Sequence, residues 1–301
     1  MTGRISLAAP PLQSLSGTLR SAIIAAPGKM LISGDFSNLE VRILAHFCGD
    51  TALRWALRVG ARDVFEEMSE RWQEEVSKSK PPDPNPAACK FTLNRSAAKT
   101  LVYVSLYGGG DSALASALGA PASVARAAAA SFAVAFPGVA VWTRATQAKA
   151  GATAKIYTIA GRVRSFSCAA EARRLAVSAR CQGSAADVFK VALARVAARA
   201  ERENSDFPLP LPSPSPSLLP PRHHTRHAAT GLLCASAPPA TRIVLHIHDE
   251  IVLETTIECA AQTARWLREE MSLAGVDLGL AVTLPVKTEA GVAWGSMQSL
   301  S

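Results

Sequence analysis

Apolar residues follow two different periods along this chain. MLISGDF (30–36) is a short apolar run that meets a carboxylate at Asp35, and the next stretch, NLEVRILAHF, switches to apolar residues at helical spacing. The pattern predicts a buried strand turning into a helix, and such a corner is a natural place for a functional acid. Helical periodicity runs over 51–77 and is broken by KPPDPNP, whose four prolines predict a loop. FTLNRSAAKTLVYVSLY (91–107) reads as a helix with Thr92 or Asn94 as its cap and Gly108-Gly109-Gly110 as its stop. Alanine-rich helices are expected on to Ala150, divided at Phe136-Pro137-Gly138. IYTIAGRVRSF predicts a hairpin that turns at Ala160-Gly161 and carries Arg162 and Arg164 on its outgoing strand. A long helix is expected over 169–202. RIVLHIHDEIVLE then predicts two short strands around a tight polar turn, followed by a helix over 257–273 and a last strand near 283–288.

One region follows neither period. Residues 204–241, largely SDFPLPLPSPSPSLLPPRHHTRHAATGLLCASAPPAT, are Pro/Ser-rich and carry too little buriable surface to offset their ordering entropy. They are expected to be a disordered insertion, and a translated intron would read the same way.

Composition narrows the class. With 301 residues, 49% hydrophobic and 19% charged, the chain can bury a sizeable core as one large domain or two modest ones. The formal net charge of +8 suits a polyanionic partner, although charge alone serves solubility equally well. Six cysteines without a CxxC pair or zinc-type spacing read as reduced thiols of an intracellular protein. The opening MTGRISLAAP lacks the basic and apolar regions of a secretory signal. The longest apolar run, 127–142, is short of the roughly 20 residues of a membrane span and contains Pro137-Gly138. It reads as a core helix, a break and a second helix, so no membrane partner is expected.

The candidate chemistry lies in two carboxylates far apart in the chain, Asp35 after a strand and Asp249 at a hairpin tip. Rigid strand ends suit a site that holds two divalent cations about 4 Å apart. Taken alone, two such aspartates are more often solvated turn acids. Arg95, Lys99 and Tyr103 recur every four residues and so share one helix face. That face offers two cations to a triphosphate and an aromatic plane to a base or sugar; a basic solvated stripe beside a partly buried tyrosine is the plainer alternative.

Together these segments resemble the family A DNA polymerases. GDFSNLEVRILAH resembles motif A. RSAAKTLVYVSLYG resembles motif B, with Arg95, Lys99, Tyr103, Tyr107 and Gly108 at its spacing. HIHDEIVLE resembles motif C, with His248, Asp249 and Glu250. TGRISLAAPPLQSL, RRLAVSARCQGSAAD and GVAWG match further family blocks in order, so the likeness spans nearly the whole chain outside the Pro/Ser-rich insertion.

The resemblance implies an α+β fold: a right-hand polymerase palm with an antiparallel sheet, an inserted helical fingers subdomain, and no thumb ahead of the TGR segment. It implies palm at 1–50, fingers at 51–150, palm again at 151–203, the insertion at 204–241 and palm at 242–301. It also implies DNA-templated addition of deoxynucleotides to a primer 3′-hydroxyl, in repair, with primer-template DNA and deoxynucleoside triphosphates as partners. Two Mg²⁺ ions are the expected cofactors, with Mn²⁺ able to substitute. Asp35, Asp249 and the Phe36 carbonyl would ligate metal, and Glu250 would be an accessory acid. Glu40 would crowd a ribose 2′-hydroxyl. Arg95 and Lys99 would bind the triphosphate, Lys99 also serving as a general acid. Tyr103 would line the sugar pocket and Tyr107 would stack on the template side. His248 would contact the primer terminus, and Arg4, Arg174 and Gln182 would contact the duplex. The motif A phrase, the motif B tyrosine and the insertion before motif C resemble the eukaryotic theta and nu repair polymerases most, which implies a nucleus or an organelle.

Departures from the family pattern point the other way. Val104 stands where many members have glycine, and Ser178 replaces an asparagine between Arg174 and Gln182. Without a thumb, the grip on DNA would be poor and synthesis distributive. A catalytically silent DNA-binding remnant, or a truncated fragment of a longer polymerase, is the competing reading.

Overall fold

In the computed structural model, residues 3–5, 12–58, 63–78, 94–107, 109–205 and 241–300 are described. A short turn of helix, α1 (Gly17–Arg20), precedes strand β1 (Lys29–Phe36), which leads through a left-handed Asn38 (φ 56°) into α2 (Leu39–Cys48). The expected strand-to-helix corner at Asp35 is therefore present.

Two polar side chains hold that corner. Arg42 of α2 is buried and donates to the carbonyls of Ser37 (2.9 Å), Leu57 (2.8 Å) and Thr283 (3.0 Å), so one guanidinium satisfies three segments that would otherwise leave carbonyls unpaired. Asp50 caps α3 (Thr51–Ala56) by accepting from Leu53 N–H at 2.9 Å. Its other oxygen accepts from Gly138 N–H at 2.8 Å, where an added Cβ would meet Asp50 at 2.9 Å.

The helical pattern expected over 51–77 is two helices, α3 and α4 (Val64–Lys78), with Asp63 at the start of the second. The expected proline loop at 80–86 lies outside the described residues, as do Thr92 and Gly108. Asn94 caps α5 (Arg95–Leu106) by accepting from Ala97 N–H at 2.9 Å. The chain continues through α6 (Asp111–Leu118), α7 (Ala122–Ala135) and α8 (Pro137–Thr153). The division at Pro137 is where it was expected, because proline lacks the N–H that a continuing helix needs and suits a first helical position.

The hairpin β2 (Lys155–Tyr157) and β3 (Val163–Ser165) turns through Gly161 at φ 78°. Arg162 falls just before β3 rather than within it, because its backbone closes the turn: its carbonyl accepts from Thr158 N–H at 3.0 Å and its N–H donates to Thr158 Oγ1 at 3.1 Å, while its guanidinium is held by Asp187 (2.9 Å) and the Gly183 carbonyl (2.9 Å). Asp187 and Gly183 belong to α9 (Ala169–Ser205), which packs against α8 on one side and α10 (Ala260–Asp277) on the other.

Strands β4 (Thr241–Ile247) and β5 (Glu250–Thr256) form the second hairpin, and β6 (Val286–Gly291) and β7 (Gln298–Ser299) complete an antiparallel sheet in the order β4-β5-β1-β6-β7. The last long strand begins three residues later than expected. Pro285 has no N–H to give a ladder, and the carbonyls of Thr283, Leu284 and Pro285 accept instead from Arg42, Ser272 Oγ (2.8 Å) and Ser37 N–H (2.9 Å). The 204–241 expectation also needs correction at its edges. Asn204 and Ser205 finish α9, Thr241 starts β4, and the Asn204 amide joins the two ends by bonding Thr241 at 2.8 and 3.1 Å. Residues 206–240 lie outside the described residues.

The main core lies between one sheet face and the helices, where β1 approaches α10 so closely that a Cβ on Gly34 would meet Met271 Sδ at 2.7 Å. A smaller cluster of Leu31, Leu245, Ile247, Val252 and Trp294 covers the other face. Both faces of β1 are therefore buried, which is why its sequence reads as a continuous apolar run rather than an alternation. Among the described residues no single helix is long and apolar enough to cross a membrane.

Candidate active site

Strand β1 and the β4-β5 turn bring the two distant aspartates together. In the ladder Asp35 lies opposite Glu250 on one side and Lys287 on the other, and Phe36 N–H donates to the Asp249 carbonyl at 3.3 Å. The turn is tight because His248 adopts φ 52°. Asp35, Phe36, Asn38, Leu39 and Glu40 line one wall of a cavity of about 390 Å³, and Ile247, His248, Asp249 and Glu250 line a second. Tyr103 of α5, Tyr107 just past its end, and the guanidinium groups of Arg4 and Arg20 close it.

This cavity concentrates negative charge. Burial first, then the carboxylates of Glu250, Asp249 and Glu289, push the Asp35 carboxyl up to about 7, with Lys287 opposing them. Asp249 is likewise raised by burial, with Glu40 adding to the rise and Arg4 and His248 counteracting it. The lining acids Asp35, Glu40, Asp249 and Glu250 outnumber the lining cations Arg4 and Arg20, an excess of negative charge that a bound cation would offset. Among the described residues no three or more His, Cys, Asp and Glu side chains form a metal cage. Two carboxylates with the neighbouring Phe36 carbonyl instead fit the Mg²⁺ habit of taking few protein ligands and completing its shell with water and phosphate oxygens.

The other acids have fixed partners. Glu250 Oε1 accepts from Ser33 Oγ at 2.6 Å and from the Trp294 indole N–H at 2.9 Å, while Arg20 lies 4.4 Å over the Trp294 ring. Glu40 is buried, ion-paired with Arg4, and accepts from the Tyr107 hydroxyl at 3.0 Å. Burial and the Glu40 carboxylate push the Tyr107 phenol up to about 12, so it donates to Glu40 as a neutral hydroxyl. The Tyr103 and Tyr107 rings stack with centroids 5.9 Å apart.

Not every predicted residue reaches the cavity. Arg95 and Lys99 share the α5 face with Tyr103 as their spacing required, yet they sit about two turns and one turn, respectively, from Tyr103 and outside the cavity lining. Lys99 Nζ lies 6.0 Å from the Phe65 and Tyr103 rings, and Arg95 pairs with Asp63 at 2.8 Å. Arg174 is exposed and Gln182 half-buried on α9, both away from the cavity lining. Ser178, between them, turns inward and donates to the Leu175 carbonyl at 3.0 Å. Val104 packs against the core and Gly109 and is absent from the lining.

Sequence reasoning missed Ser33, Arg20, Asn38, Lys287 and the role of Trp294. Only Trp294 carried a signal, as the aromatic of GVAWG.

Residues 1–296 match the sequence profile of DNA polymerase family A. This chain belongs to DNA polymerase family A. It is 30% identical over 307 residues to "DNA polymerase I, thermostable" of Thermus aquaticus, covering 97% of this chain and 31% of that protein. It is 29% identical over 297 residues to DNA polymerase theta of Mus musculus, covering 94% of this chain and 11% of that protein. The two identities differ by one percentage point. The solved POL domain of Pol1 from M. smegmatis, in complex with DNA primer-template and dNTP, superposes with a TM-score of 0.74 at 25% identity, covering 98% of this chain and 46% of that one. The family A chain thus spans under half the length of each of these relatives, and its helices and antiparallel sheet are those of a family A polymerase domain.

Proposed function

We propose that this chain carries out DNA-templated DNA synthesis, adding a deoxynucleotide to a primer 3′-hydroxyl. The observation that carries the reading is the meeting of Asp35 and Asp249 in one acid-rich cavity lined also by Tyr103 and Tyr107. The likeness to the M. smegmatis POL domain, solved in complex with DNA primer-template and dNTP, supports it. Asp35, Asp249 and the Phe36 carbonyl would hold the metal. Two bound Mg²⁺ ions, or Mn²⁺, would supply Lewis acidity that favours the attacking oxyanion and stabilises the leaving phosphate oxygens.

The chain's own residues do the rest. Glu250, fixed by Ser33 and Trp294, keeps an accessory carboxylate beside Asp35. Buried Glu40 narrows the space next to Tyr103 and Tyr107, where a ribose 2′-oxygen would lie. Arg95 and Lys99 receive the triphosphate, Lys99 giving a proton to the leaving pyrophosphate. Tyr107, bonded to Glu40 here, guards the template side. His248 faces the primer terminus, and Arg4, Arg174 and Gln182 contact the duplex. In this assignment 1–50, 151–203 and 242–301 are palm and 51–150 are fingers. The motif A phrase, the motif B tyrosine and the insertion before motif C, which resemble the theta and nu polymerases, favour a repair role, in the nucleus or an organelle.

Primer extension tests the reading. With Mg²⁺ and four deoxynucleotides the chain is expected to extend a primer in template order, and to stop in excess chelator. Binding of primer-template without extension would contradict it.

A further inference from the structure

The fingers region holds a carboxylate that no motif predicted. Asp63 precedes α4, where its Oδ1 accepts from the N–H groups of Phe65 (2.9 Å) and Glu66 (3.2 Å). The same carboxylate accepts from Arg95 through two parallel bonds, Nε to Oδ1 at 3.0 Å and Nη2 to Oδ2 at 2.8 Å. Among the described residues nothing accepts from Arg95 Nη1.

We propose that Asp63 is a positioning residue for the incoming triphosphate: it holds Arg95 by one edge of the guanidinium and leaves the Nη1 end free for a phosphate. This rests on the reading of Arg95 as a phosphate ligand.

Three observations support it. First, an exposed ion pair of this kind contributes little to stability, and the side chains here are 48% and 33% exposed. Its consequence is instead orientation, because a free arginine must lose much of its rotamer freedom on binding an anion while a side-on bidentate partner has already restricted it. Second, the anchor is rigid. Asp63 is bonded to the first turn of α4, and α4 packs directly against α5. Burial would raise the Asp63 carboxyl, but the bonds from Arg95 and the two helix amides prevail and hold it below the usual range, so it stays charged. Third, Phe65, two residues on and almost fully buried, lies beneath both cations of the face, 5.9 Å from Arg95 Cζ and 6.0 Å from Lys99 Nζ. The start of α4 therefore sets the floor and one side of the phosphate-binding face.

Single-nucleotide insertion kinetics on the full chain test the idea with Asp63→Ala, Asp63→Asn, Arg95→Ala and the Asp63→Ala/Arg95→Ala double variant. Asp63→Ala is expected to raise the KM for the deoxynucleotide about 5–10-fold with kcat within about 2-fold, a loss of binding rather than of chemistry. Asp63→Asn keeps an oxygen for the helix cap and one bond to Arg95, and should restore part of the loss. The double variant should match Arg95→Ala, because Asp63 acts only through Arg95. A loss of kcat and stability in Asp63→Ala with KM unchanged, fully restored in Asp63→Asn, would reduce Asp63 to a helix cap and overturn the proposal. A lowered KM in Asp63→Ala would overturn it too, by showing that the carboxylate competes with the nucleotide. An unchanged KM in Arg95→Ala would remove the phosphate reading itself, whereas a raised KM there with none in Asp63→Ala would reject only the positioning role.

Discussion

Asparagine at Asp249 is expected to lower the rate of primer extension at least about 10³-fold while leaving duplex affinity within about 3-fold. The substitution keeps the shape of the side chain and removes one anionic oxygen from a site whose chemistry needs charge, and about 4 kcal/mol of lost transition-state stabilisation corresponds to that factor. Asp35→Asn should do the same to the rate while raising stability above neutral pH. The Asp35 carboxyl, at about 7 in the folded chain against 3.8 ordinarily, favours the fold in its protonated form. Its contribution is therefore fully present below about pH 4 and is lost as pH rises through about 7. Above that, the metal-free wild type carries an ionised, crowded Asp35 that Asp35→Asn lacks. The variant should be more stable at pH 8 by about 1–2 kcal/mol, since the side chain opens onto the cavity and solvent screens part of the repulsion. Thermal unfolding at pH 5 and pH 8 without divalent ions checks this. A variant inactive and also less stable at pH 8 would mean that Asp35 is a structural acid.

Glu40 is the second position with a large expected effect. It is 6% exposed, tied to Arg4 and Tyr107, and sits at the cavity beside Tyr103. Glu40→Ala would open space where a 2′-hydroxyl is proposed to clash. Selection for deoxyribonucleotides over ribonucleotides should fall about 10–100-fold, the range that steric exclusion worth roughly 1.4–2.7 kcal/mol provides. Glu40→Gln separates size from charge: it fills the same volume, so selection should persist although the ion pair with Arg4 is gone. Competition between the two nucleotide types in single insertion measures both. If Glu40→Gln loses selection as fully as Glu40→Ala, charge and not bulk makes the discrimination.

How much of this was legible depends on how local each feature is. The corner at Asp35 could be read because a buried run and a helical period meet there. The turn at His248-Asp249 could be read because two apolar strands flank a polar pair. The α5 face followed from four-residue spacing alone. Partnerships between distant segments could not be read. Asp50 bridges α3 and α8, Arg42 reaches the Thr283 carbonyl, and Trp294 holds Glu250 across the sheet. Each depends on which elements the whole fold brings side by side, and no window of sequence encodes that. The start of β6 was misplaced for the same reason, since carbonyls at 283–285 had been claimed by remote donors. Arg95 was assigned to a phosphate from its face, but its Asp63 partner lies 32 positions away.

Asp35 and Asp249 are proposed to share divalent cations. Mn²⁺ soaked into crystals of the chain with primer-template and a non-reactive nucleotide, located by anomalous scattering, tests this most directly. Ions are expected within about 2.0–2.3 Å of both carboxylates. Anomalous peaks bound elsewhere, with Asp35 and Asp249 contacting no metal, would contradict it.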